Sequence, residues 1–195
     1  MEHDSMNSLQ FDPKSTALVL IDLQNGIMGR TLAPHSSNDV IAHGAQLAAA
    51  LRAKGGTVVY VRVDMTDLLH LPVDAPTRDP NAPPPPAIAS ELVPNSGYQA
   101  GDLVITKRHW GAFYGTELDQ QLRRRRIQTV MLGGVATNFG VESTARAAHD
   151  RGYELIFVED AMSSIKAEAH DFAIQHIFPR MGRVRTVEQV LKALA

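Results

Sequence analysis

Apolar residues in this chain gather in short blocks, and the stretches between the blocks carry helical spacing. Residues 17–21 read A-L-V-L-I, a continuous apolar run that ends at Asp22. A strand covered on both faces has that pattern, because neither set of alternating side chains meets water. Asn38 or Asp39 then caps a helix predicted through Lys54, with Val40, Ile41, Leu47 and Leu51 at helical spacing. Gly55-Gly56 stops it, where a left-handed cap favours glycine. Thr57–Val63 is the second strand, and 103–106 the third, ending at Lys107. A short helix begins at Thr116 or Glu117 and runs into 123–126. Residues 129–132 form the fourth strand, closed by Gly133-Gly134, and a helix over 138–151 stops at Gly152. Residues 155–158 are the fifth strand, 167–178 are helical, 184–186 are a short sixth strand, and 187–194 are a terminal helix. This alternation predicts an α/β fold, a doubly wound, Rossmann-like parallel sheet of six strands with helices on both faces.

One stretch breaks the rhythm. Eight of the eleven prolines lie between Pro72 and Pro94, including the run 83–86. Consecutive prolines favour an extended conformation and exclude helix and sheet interior. Because the strand–helix alternation resumes afterwards, residues 64–97 are an excursion within one domain spanning 1–195, not a linker between two. Long loops in compact domains commonly serve as lids or contact arms, and this one is expected to be a lid or an oligomer arm, with passive packing as the alternative.

Composition narrows the function. At 195 residues the chain suits one domain. Nineteen Lys and Arg against 21 Asp and Glu give a net charge of −2, which argues against nucleic acid or an anionic membrane as partner. No apolar run approaches the ~20 residues of a membrane span, and residues 1–16 carry no apolar stretch of signal-peptide type. The expectation is a cytoplasmic protein acting on a small molecule. The chain has no cysteine, which removes disulfides, cysteine-ligated metals and every thiolate nucleophile. Its eight histidines show no zinc-binding spacing, so neither a metal nor another cofactor is expected.

In an open α/β sheet, ligands bind beyond the carboxyl ends of the strands. Asp22 stands at the end of strand one, followed by Leu23-Gln24-Asn25. Lys107 stands at the end of strand three, followed by Arg108-His109-Trp110. Strand four leads into Gly133-Gly134-Val135-Ala136-Thr137-Asn138 and a helix start. Asp22 follows five apolar residues and needs a partner for its charge, and Lys107 is the matching one. Such a pair suits either acid–base chemistry or a structural ion pair sealing the sheet. The glycine-rich turn suits an oxyanion site at the helix start, or a plain tight turn with Asn138 as cap. It fits neither a dinucleotide nor a phosphate-loop fingerprint. Trp110, Phe113 and Tyr114 suit pocket lining or interface equally. Glu142 and Arg146, four apart, suit an ion pair, and Glu159-Asp160 suits a cap on the segment that follows.

Three segments together resemble a known family. A-L-V-L-I-D-L-Q-N (17–25), I-T-K-R-H-W-G-A-F-Y-G-T-E-L (105–118) and G-G-V-A-T-N-F-G-V-E-S-T-A-R-A-A (133–148) are similar to the isochorismatase-like hydrolases, in order and spacing over nearly the whole chain. The resemblance implies a three-layer α/β/α sandwich with a six-stranded parallel sheet. Most members are cysteine hydrolases with an Asp–Lys–Cys triad. Asp22 and Lys107 match its first two members, whereas the nucleophile position is Gly140 here, so an acyl-enzyme route through that side chain is closed. Isochorismatases proper also carry glycine there and hydrolyse a vinyl ether by protonation, which needs no side-chain nucleophile. The family pattern further implies a cis peptide at Val135–Ala136 and a homodimer or homotetramer. The expected substrate contacts are Gln24, Trp110, Phe113, Ala136, Thr137, Asn138 and Phe139. Arg30, Arg78 and Arg108 are equal candidates to hold a substrate carboxylate.

Three readings follow. The first is a metal-free, cysteine-independent hydrolase of a small carboxylated metabolite, with Asp22 as general acid/base and Lys107 as its partner. The second is a retired enzyme that keeps the pocket as a small-molecule binding or assembly module. The third is an amidase that uses Ser143, Thr137 or activated water in place of cysteine.

Overall fold

A computed structural model describes residues 9–195 except positions 70, 77 and 80. The polar start at 1–8, and those three positions within the proline-rich excursion, lie outside the described residues. Six parallel strands form one sheet: β1 (Thr16–Ile21), β2 (Thr57–Val63), β3 (Leu103–Lys107), β4 (Thr129–Val135), β5 (Glu154–Ser163) and β6 (Arg183–Arg185). Their spatial order is β3-β2-β1-β4-β5-β6. The winding therefore reverses between β1 and β4, and a crevice opens there at the carboxyl ends.

Side chains alternate along each strand and feed two cores. Leu18 and Leu20 of β1 join Val58, Tyr60, Met131 and Ile156 on one face, packed with Val40, Leu47, Leu51, Val190 and Leu194. Those come from α2 (Ser37–Ala53) and α6 (Val187–Leu194). Ala17, Val19 and Ile21 join Val59, Val61, Val130, Leu132 and Phe157 on the other face. There Leu118 and Leu122 of α3 (Leu118–Arg124) and Ala145 and Ala148 of α4 (Glu142–Asp150) close the layer, along with Ala173 and Phe178. The fold is the three-layer α/β/α sandwich that the sequence implied. Among the described residues no helix is long and apolar enough to cross a membrane.

Several boundaries differ from expectation, each for a local reason. The cap of α2 is Ser36, and Asp39 reciprocates three positions later in a capping box. Gly133-Gly134 do not close β4; they are paired strand residues, opposite Leu20 and Ile21 of β1. Glycine is required because a Cβ on Gly134, at φ +104°, would overlap the Ile21 carbonyl oxygen. Strand β5 runs five residues beyond Val158, with a register shift against β4 between Leu132 and Gly134. Through that shift Asp160 caps no adjacent segment; its Oδ1 accepts from Val187 N, at the start of α6. The predicted helix at 167–178 is α5 (Ala167–Phe172), continued by a wider turn at Ala173–Ile177 and a tight one at Phe178–Arg180. Pro179 accounts for the break, since proline and the residue before it disfavour a continuing α-helix.

The excursion at 64–97 has two parts. Its second part is tied down: Asn25 of α1 (Asn25–Met28) donates to Ile88 O and Glu91 O, Val93 N donates to Leu23 O, and Tyr60 donates to Ser96 O. The first part leaves Leu69, Leu71 and Val73 exposed.

Candidate active site

Asp22 is the first residue past β1, and its φ of +56° places it in the left-handed region. Asp and Asn are the non-glycine residues that tolerate that region best, and such outliers cluster where a site over-determines the backbone. The turn is held by Asp22 N, which donates to Val61 O at 2.8 Å, and by Gln24 N, which donates to Asp22 O at 2.8 Å. It aims the carboxylate at Lys107, two strands away, whose Nζ donates to Asp22 Oδ2 at 2.9 Å. Both side chains are under 10% exposed. Burial pushes the Asp22 carboxyl above its ordinary range, and the Lys107 ammonium opposes that push through its charge and its hydrogen bond. Asp22 Oδ1 is buried with no hydrogen-bond partner, the sole such side-chain atom among the described residues. An orphaned buried carboxylate oxygen points to a bound group that the protein alone does not supply.

Across the crevice, β4 ends in a cis peptide at Val135–Ala136, followed by the wide turn Thr137–Val141 that leads into α4. Gly140 lies in this turn. A Cβ there would sit 3.5 Å from Asp22 Oδ2 and 3.5 Å from Trp110 O, with Ile21 Cγ2 at 3.0 Å. Asp22, Lys107 and Gly140, the expected catalytic positions, thus meet at one point. Trp110 packs edge-on against Phe139, with ring centroids 4.9 Å apart, and remains largely exposed at the rim.

The other expected contacts divide. Asn138 is not a helix cap; its Oδ1 accepts from Ser164 Oγ at 2.6 Å. Ala136 is half-buried, at the edge of the core on the α2 face. Gln24 is fully buried, and its amide is taken up by Val63 N, Val63 O and Ala89 O, so it brackets β2 to the excursion instead of facing a substrate. Phe113 is buried against Tyr153 under the Arg151 guanidinium, a core residue. Thr137 is buried and shares a 2.9 Å hydrogen bond with His170 Nδ1. Sequence reasoning missed His170, Ser163 and Ser164, because each reaches the site from a distant segment and none stands in a recognisable spacing. Of the three arginines, Arg108 is paired with Asp64 and Asp67. Arg30 and Arg78 line one cleft of about 480 Å3 beside Asn25 and Gly26, and among the described residues neither meets a carboxylate. Among the described residues no three acidic or histidine side chains gather as a metal site.

The isochorismatase domain model matches residues 16–189. The chain belongs to the isochorismatase family. An uncharacterised isochorismatase-family protein of Escherichia coli O157:H7, YecD, is 46% identical over 95% of this chain and 100% of its own. A solved isochorismatase-family structure from Burkholderia thailandensis is 43% identical, with a TM-score of 0.87, covering 95% of this chain and 97% of that one. More distant is the ureidoacrylate amidohydrolase RutB of Methylorubrum extorquens, 31% identical over 96% of this chain and 86% of its own. The chain is accordingly an isochorismatase-family hydrolase.

Proposed function

We propose that this hydrolase acts on a small carboxylated metabolite by acid–base chemistry at Asp22, without a metal and without a side-chain nucleophile. The observation that carries the reading is the Asp22–Lys107 pair set against Gly140. Oδ2 of Asp22 is occupied by the Lys107 ammonium, so a proton held by the carboxyl resides on Oδ1, the atom with no partner. A carboxyl whose affinity for protons is raised by burial is suited to give one up in the transition state. For an enol ether, donation from Oδ1 to carbon creates an oxocarbenium electrophile. Water then adds to it and returns a proton to the Asp22 carboxylate, and the hemiketal collapses to a carbonyl as its hydroxyl proton passes to the leaving oxygen and the carbon–oxygen bond breaks. In the cleft beside Asn25 and Gly26, Arg78 is held by Ala82 O and Pro83 O, and Arg30 is the guanidinium that supports an anionic group on the substrate.

The likeness to a ureidoacrylate amidohydrolase favours one second reading, an amide substrate attacked by water with Asp22 as base. Thr137 is poorly placed as the nucleophile for that reaction because its side chain is fully buried. The retired-enzyme reading makes the same pocket a binding module. A thermal-shift screen of carboxylates, amides and vinyl ethers, with turnover measured on each hit, separates these readings. A vinyl ether or amide consumed by the wild type, but only bound by Asp22→Asn, supports Asp22 chemistry and names the bond broken. Hits bound by both proteins and consumed by neither overturn it in favour of a binding module.

A further inference from the structure

We propose that His170, through its hydrogen bond to Thr137, is a positioning residue that fixes the Gly140 turn against Asp22. The inference rests on the reading of Asp22 and Gly140 as the reacting centre. The turn at 137–141 is gripped at three points by side chains. Thr137 shares its hydroxyl with His170 Nδ1 at 2.9 Å, Asn138 Oδ1 accepts from Ser164 Oγ at 2.6 Å, and Thr144 Oγ1 donates to Gly140 O at 2.7 Å. The last two grips come from an exit of β5 and from α4, elements already adjacent to the turn. The first brings in a separate helix, α5.

His170 is itself held from behind. The His35 ring meets it edge-on, with centroids 5.6 Å apart. His35 is fixed in turn by Ser163, whose Oγ accepts from His35 N at 3.2 Å and donates to His35 O at 2.7 Å. A chain of contacts therefore runs from the end of β5 through His35 and His170 to Thr137, three residues before Gly140. Both Thr137 and His170 are buried. Two apolar side chains would occupy that space without the cost of burying polar groups, whereas a hydrogen bond adds direction. Direction matters here because a carboxyl and the atom it protonates must be aligned, and a misplacement of about 1 Å can cost about 10²-fold in rate.

The test uses Thr137→Val, which removes the hydroxyl at nearly constant volume, Thr137→Ser, which restores it, and His170→Phe. On the substrate found in the Asp22 screen, Thr137→Val and His170→Phe are expected to lower kcat by about 10- to 100-fold with KM changed less than about threefold, while Thr137→Ser keeps kcat. The double variant Thr137→Val/His170→Phe is expected to be no slower than either single one, since both remove the same bond. A second readout needs no substrate. In a Gly140→Cys background the new thiol stands beside Asp22, and its alkylation by iodoacetamide reports the alignment of the turn. Thr137→Val and His170→Phe are expected to change that rate by about tenfold, and Thr137→Ser to leave it within about twofold. Should His170→Phe not fold, His170→Gln replaces it in both assays. Unchanged kcat and unchanged alkylation, with only a lower unfolding temperature, make the bond purely structural and overturn the proposal. The thiol readout decides even where the wild type consumes nothing, so failure of the hydrolytic reading is distinguished from failure of this one.

Discussion

Asp22 and Lys107 are oppositely charged side chains held out of water, and each depends on the other. Removing one partner of a buried pair leaves an uncompensated charge, at a cost of about 3–5 kcal/mol. Lys107→Met is therefore expected to lower the unfolding free energy by about that amount in urea at pH 7. Asp22→Asn combined with Lys107→Met is expected to recover most of the loss. Asparagine suits the +56° backbone of position 22, so the double variant isolates the charge effect. The pH dependence has a definite sign. The Asp22 carboxyl is raised above 3.8 in the fold, so the folded protein holds this proton more tightly than the unfolded chain does, and that contribution is fully present below pH 3.8 and lost as pH rises. The penalty of Lys107→Met should accordingly be smaller at pH 4 than at pH 7.

At the scale of elements, glycines divide into those that hold space open and those that do not. Gly134→Ala drives a Cβ into the Ile21 backbone between β1 and β4, whereas Gly101→Ala, at a similar φ of +105°, meets nothing within 4 Å. Gly101→Ala is expected to cost about 1–2 kcal/mol from backbone strain alone, and Gly134→Ala to exceed about 4 kcal/mol or prevent folding. Burial, with His35 adding to it, pushes the His170 pKa down from 6.5 to about 4. The histidine must stay neutral in the fold, so stability is expected to decline as pH falls from 6.5 towards 4, by about 3 kcal/mol from this group. His170→Phe should flatten that part of the profile in denaturation measured at pH 7 and pH 5. These elements also show what the chain discloses in one dimension. Strands β1 to β5 were legible because a buried parallel strand writes itself as an apolar run, whereas β6, Arg-Val-Arg and only half-buried, has no such run and was read from the short stretch between two helical patterns. Asp22, Lys107 and the Gly140 turn were legible because each stands at a strand end. The extended ends of β4 and β5 were not, since Gly133-Gly134 read as stops until β1 pairs with them, and Glu159-Asp160 lie in a register shift after which β5 pairs again at Met162 and Ser163. The burial of Gln24 and Phe113 and the reach of His170 depend on contacts between distant segments, which no local spacing reports.

For the whole molecule, the order β3-β2-β1-β4-β5-β6 interleaves the two sides of the proline-rich excursion. β1 and β2 precede it and β3–β6 follow it, yet β1 pairs with β4 and β2 with β3. The exposed segment around Leu69 is a natural point of protease attack. Limited chymotrypsin treatment is expected to cut there, and the two fragments to co-elute on gel filtration until denaturant separates them. Separation in native buffer would show that the excursion itself joins the halves.

The absence of a side chain at Gly140 also bears on oxidative chemistry. A thiolate nucleophile can be carried by peroxide through sulfenic to sulfinic and sulfonic acids, the last steps ending catalysis. A centre built on a carboxyl, an ammonium and a glycine offers peroxide no sulfur at the reacting point. Hydrolysis routed through Asp22 is therefore expected to survive peroxide exposure that silences the Gly140→Cys variant. With glycine at position 140, the point beside Asp22 carries no side chain for an oxidant to modify.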